Sequence, residues 1–142
     1  MSLFRNLFKT NTHDSMVSEL YNKINDVKDI VVRYGTKIDC KEGVGYSHTL
    51  GVGDMSIGQS ILLDNDGYLC GMELYGKKNT EKEGQNITIF FNRNSIDFEK
   101  IQFSVINTET RQIVFSEKCE IESLKHTVDA HYNALKVLKH NV

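Results

Sequence analysis

Two stretches with an apolar residue at every third or fourth position lie near opposite ends of this chain, and the sequence between them alternates with a period of two. The first runs through Val17, Leu20, Ile24, Val27, Val31 and Tyr34, and the second through Leu124, Val128, His131, Leu135 and Leu138. Such spacing gathers the apolar side chains on one face of a helix. The segments between them are joined by turns too short for parallel crossovers, which need roughly a dozen residues or more. The expected architecture is therefore α+β: an antiparallel meander of five or six strands flanked by an N-terminal and a C-terminal amphipathic helix.

Particular residues carry that reading. Ile61 to Leu74 contains two apolar runs joined by Asn65-Asp66-Gly67, a hairpin signature. On its second arm Tyr68, Cys70, Met72 and Leu74 share a phase and are expected to face the core. Ile87, Ile89 and Phe91 alternate in another strand, as do Ile101, Phe103 and Val105, and then Ile113 and Phe115. Lys41 to Gly58 is rich in glycine, which suggests a short, bent or bulged strand followed by a mobile loop. Lys77 to Gln85 reads as an exposed, mobile connection.

At 142 residues the chain suits one domain with one core. Residues 1–12 read as a short amphipathic arm, with Leu3, Phe4, Leu7 and Phe8 on one face and available for a homodimer contact. Residues 13–142 form the domain. Thr10 to Asp14 reads as a polar break, with Asp14 or Ser15 capping the helix that follows. On that helix Glu19 with Lys23, and Asp29 with Arg33, stand at ion-pair spacing, and Gly35 is expected to end it in a left-handed conformation.

The 17 basic and 19 acidic residues are spread along the chain, which argues against a nucleic-acid surface. Cys40, Cys70 and Cys119 are an odd number with irregular gaps, as befits reduced thiols in small core positions of a cytoplasmic protein. No apolar run is long enough for a membrane span or a signal core. The absence of proline and tryptophan, with plentiful Asn, Lys and Ile, hints at an AT-rich bacterial or phage gene.

No chemical motif stands out. Gly51 to Gly58 lacks the Lys-Ser/Thr ending of a phosphate loop and precedes a strand rather than a helix. Asp64-Asn65-Asp66-Gly67 resembles a calcium loop, but its twelfth position is Tyr75 rather than an acid. His126 and His131 are five apart and point about 140° away from each other on a helix, which is wrong for zinc. Ser47 and His48 are adjacent and face opposite sides of a strand, so they cannot act as a catalytic pair. His131 is the unusual histidine, because it falls in the apolar stripe; a hydrogen bond to a sheet carbonyl or a tyrosine is expected there.

These exclusions point to a small non-catalytic binding protein without cofactor or metal. The first expectation is an inhibitor or immunity-type protein that masks a toxic or antagonistic partner protein, with Tyr46, His48, Asp54, Tyr75, Lys77 and Lys78 as its contact residues. The second is a small-molecule or nucleotide binder whose pocket lies between the sheet and the C-terminal helix, with Gly51, Gly53, His131 and Tyr132 in its wall. A self-associating structural or adaptor subunit is the third.

Overall fold

The computed structural model describes residues 2–140, with side chains described for residues 15–138. Helix α1 (Ser2–Tyr34) leads into strands β1 (Thr36–Cys40), β2 (Gly43–Val52), β3 (Met55–Asp64), β4 (Leu69–Lys78) and β5 (Glu83–Asn92). The two-residue strand β6 (Ser95–Ile96) and a single turn of tighter helix at Phe98–Lys100 precede β7 (Gln102–Asn107), β8 (Ile113–Lys118) and helix α2 (Ile121–His140). All pairings are antiparallel, in the order β1-β2-β3-β4-β5-β7-β8, with β6 paired to the end of β5. The fold is α+β as expected, and its sheet has eight strands rather than five or six.

The extra strands are β1, just ahead of the glycine-rich segment, and the two-residue β6, which forms where a turn after β5 is expected. β2 pairs with β3 over ten consecutive residues without a register shift, so the expected bulge and mobile loop are instead a long hairpin closed at Gly53-Asp54. Gly53 there has φ +60°, which glycine adopts without steric penalty. The connection after Lys77 is also shorter than expected, because β4 continues to Lys78 and β5 begins at Glu83. Asp64 closes the β3–β4 turn by accepting from the backbone amides of Asp66 and Tyr68 at 2.9 Å. A register shift between Leu62 and Leu63 changes the strand phase beside this turn. Leu69 is therefore buried while Tyr68 is exposed, the reverse of the simple alternation.

Two further expectations are corrected at α1. Its helical backbone passes through Thr10 to Asp14 without the expected break. The side chains of Leu3, Phe4, Leu7 and Phe8 lie outside the described residues. Gly35 does not have a left-handed backbone; its need for glycine is one of space. A Cβ there would lie 2.5 Å from the carbonyl oxygen of Val31 and 2.6 Å from that of Ser47, where the helix end is tucked against β2.

Both helices cover one face of the sheet. Leu20, Ile24, Val27 and Val31 of α1, and Leu124, Val128 and Leu135 of α2, pack on Ile61, Met72, Leu74, Ile87 and Ile89. The two helices run parallel, because Lys23 meets Asp129 at one end of their contact and the Tyr34 hydroxyl donates to the Leu138 carbonyl at the other. Lys23 reaches Glu19 at 3.6 Å and Asp129 more closely at 2.7 Å, while Asp29 pairs with Lys28 rather than Arg33. On the opposite face, pairing aligns Ser47, Ser60, Glu73, Thr88, Gln102 and Lys118 in one row across six strands. Among the described residues no helix is long and apolar enough to cross a membrane.

Candidate functional site

Strand pairing sets His48 beside Gln59, Gln59 beside Leu74 and Leu74 beside Ile87, all on the helix side of the sheet. Gln59 is 1% exposed, and it occupies an apolar phase between Ile57 and Ile61. A buried amide must find partners or lose the hydrogen bonds water gave it. Its Nε2 donates to Nδ1 of His131 at 2.8 Å, and its Oε1 lies 3.1 Å from Nδ1 of His48. His131 thus bonds a side-chain amide rather than the expected carbonyl or tyrosine. Because His131 Nδ1 accepts, the proton of its neutral ring sits on Nε2. The ring is 4% exposed, and burial lowers its pKa from 6.5 to about 4, so it is neutral near pH 7.

His131 lies in the wall of a cavity of about 310 Å³ between α2 and the sheet. Val52, Ile57, Leu74, Ile87 and Phe103 give this cavity an apolar sheet side, and Ala130 and Ala134 form much of its helical side. Small residues help to leave it open: Gly76 on the sheet side and Ala130 and Ala134 on α2 all belong to its wall. Gln85, His126 and Thr127 add polar atoms. Among the described residues no Asp, Glu, Lys or Arg lines it. A second hollow continues from it past Phe103 toward Glu117 and Cys119. Along that side α2 leaves β8 uncovered, and Phe115 is exposed.

The structure separates most of the residues expected to act together. Of the four pocket candidates only His131 lines the cavity. Tyr132 packs against the core with Lys136 over its ring, while Gly51 and Gly53 stand at the open tip of the β2–β3 hairpin, where an added Cβ would meet nothing within 4 Å. The partner-contact candidates are divided between both sheet faces. Tyr46 and His48 point toward the helices, Tyr75 and Lys77 lie on the opposite face, Asp54 is in the hairpin turn and Lys78 ends β4. Sequence reasoning missed Gln59, Gly76, Ala130 and Ala134. A polar residue at an apolar strand phase, and two alanines one helical turn apart beside an apolar stripe, were the available signals.

Among the described residues no three His, Cys, Asp or Glu side chains converge as a metal-ligand set. The cysteines are free and differ in setting: Cys119 is buried, Cys70 half-buried, and Cys40 exposed on the edge strand β1 rather than in the core. Comparison of the chain with protein-family models, curated proteins and solved structures gives no match.

Proposed function

We propose that this is a non-catalytic binding protein whose cavity between α2 and the sheet takes a small, uncharged, largely apolar molecule. The cavity itself carries the reading: about 310 Å³ with an apolar lining, no formal charge among the described residues that line it, and a neutral imidazole in its wall. This volume sits at the lower end of known ligand pockets, where apolar walls supply affinity and a few polar groups orient the ligand. A carboxylate or ammonium ligand would be desolvated there without a partner. His131 offers a donor at Nε2 to a carbonyl or ether oxygen. In this reading the protein works in the cytoplasm, where its free thiols stay reduced.

The test uses the uncharged fluorescent probe N-phenylnaphthylamine against a sulfonated naphthylamine of similar shape. The neutral probe is expected to bind and to be displaced by Ala134→Phe, which fills the cavity from α2. Equal binding of both probes, or binding unaffected by Ala134→Phe in a folded variant, contradicts the reading.

A second reading, masking of a toxic or antagonistic partner protein, has one observation in its favour. Ile113, Val114 and Phe115 are consecutive and exposed on β8, a strand at the sheet edge whose outer backbone groups are open to another strand. Co-expression with a candidate toxin tests it: protection lost in Phe115→Lys supports the masking role, and full toxicity beside the unaltered protein removes it.

A further inference from the structure

The sheet face turned away from the helices contains a hollow of about 390 Å³ lined by residues from β2, β3, β4, β5, β7 and β8. On a flat sheet β2 and β8 would stand about 24 Å apart, so a single hollow reaching both requires the face to curve inward. Its floor is two adjacent cross-strand rows. One contains Ser47, Ser60, Glu73 and Thr88; the other contains Thr49, Tyr75, Asn86 and Ser104. Apart from Glu73 these groups are neutral, all short but for the Tyr75 ring; Ile106 and Ile113 add an apolar rim at the β7–β8 side, and among the described residues no Lys or Arg lines the hollow. Solvated sheet faces are ordinarily populated by long charged side chains, and charged residues make up 25% of this chain, so their near absence here is a property of the site.

Two details show where a ligand would be held. Asn86 is 7% exposed; its Nδ2 donates to the Thr88 hydroxyl at 3.3 Å, while its Oδ1 takes no hydrogen bond from the described residues and is left to the hollow. The Tyr75 ring is also laid over Gly84, where an added Cβ would come within 2.5 Å of the ring and its hydroxyl. Gly84 thus makes room for the aromatic group to lie down in the hollow with its hydroxyl carried along.

We propose that this face binds a short neutral oligosaccharide. Such a ligand presents many hydroxyls that both donate and accept, and it meets hydroxyls, an amide and one carboxylate that do the same at strand spacing. Its C–H face can rest on the Tyr75 ring. The charge pattern argues for this class over others. Phosphate-bearing ligands require cations that the hollow lacks, a lipid requires an apolar floor, and an extended peptide pairs its backbone with a sheet edge rather than with a face.

The experiment is an amide NMR titration of the full chain with maltotriose, cellotriose, mannotriose and chitotriose in turn. At least one sugar is expected to shift the amides of Glu73, Tyr75, Asn86 and Ser104, with binding weakened about tenfold by Glu73→Gln, the loss of one charge-assisted hydrogen bond. Ser104→Arg, which fills the hollow, is expected to abolish the shifts. No shift with any of the four sugars, shifts confined to the cavity beneath α2, or binding unchanged in both folded variants would overturn the proposal. Because N-phenylnaphthylamine reports the other face, the two sites stand or fall separately.

Discussion

Gln59 and His131, 72 residues apart, are joined by a 2.8 Å hydrogen bond in the interior, between the middle of β3 and the middle of α2. Around them the contacts between helix and sheet are apolar and largely non-directional. This bond adds a directional constraint on how α2 sits, and it is also what holds the imidazole in the cavity wall.

Removing the amide while keeping bulk isolates that bond. Gln59→Leu leaves the buried Nδ1 of His131 without a donor, and a loss of about 1–3 kcal/mol is expected in urea unfolding. The double variant Gln59→Leu/His131→Leu should recover part of it, because two apolar partners leave nothing unsatisfied. Strictly additive losses would show that the two residues are not coupled.

The same histidine makes stability depend on pH. Its folded pKa lies near 4 against 6.5 for the free side chain, the cause being burial. Above pH 6.5 the ring is neutral in both states and contributes no linkage. As pH falls from 6.5 to 4 the unfolded chain binds a proton that the folded one refuses. Stability therefore drops by up to about 1.4 kcal/mol per pH unit, on the order of 3 kcal/mol in all. Below pH 4 both states are protonated and the loss ends. His131→Asn, which keeps an acceptor for Gln59, should flatten the urea midpoint over that interval relative to the unaltered protein; parallel pH curves would refute the linkage.

Leu124 and Val137 lie on the same helix, and only the first is buried. Leu124→Ala should cost about 2–5 kcal/mol through lost contacts and a residual cavity, and Val137→Ala within about 0.5 kcal/mol. Thermal unfolding of the two variants side by side checks whether α2 is docked by this face.

Gly35→Ala forces a methyl group against two backbone carbonyls that cannot rotate away. An expected loss of about 1–3 kcal/mol separates close approach from a left-handed stop. With a right-handed or extended backbone, Gly35→Asn should be no better tolerated than alanine, whereas a left-handed position would favour asparagine. The unfolding midpoints of the two variants decide between them.

Much of the architecture was legible because its signals are local. Leu20 to Val31 and Leu124 to Leu135 repeat at the helical period, Asp64 to Gly67 carries turn chemistry, and Ile87 to Phe91 alternates, each within a few residues of chain. Glycine obscured β2, since Gly43, Gly45 and Gly51 read as interruptions; long-range pairing with β3 outweighed their weak strand preference. The helix through Thr10 to Asp14 shows the same limit from the other side, because polar residues that favour caps are also tolerated within a helix.

What the sequence by itself determined is the class of the fold, two helices around an antiparallel meander, since periodicity and turn residues act over short distances. Only the tertiary structure decided which residues meet. It placed both helices on one face, set Gln59 against His131, brought Gly76, Ala130 and Ala134 into the wall of one cavity, and aligned polar side chains from β2 to β7 in one hollow. Those relations depend on register and helix placement, which arise from the packing of distant segments and leave no trace in the order of neighbouring residues.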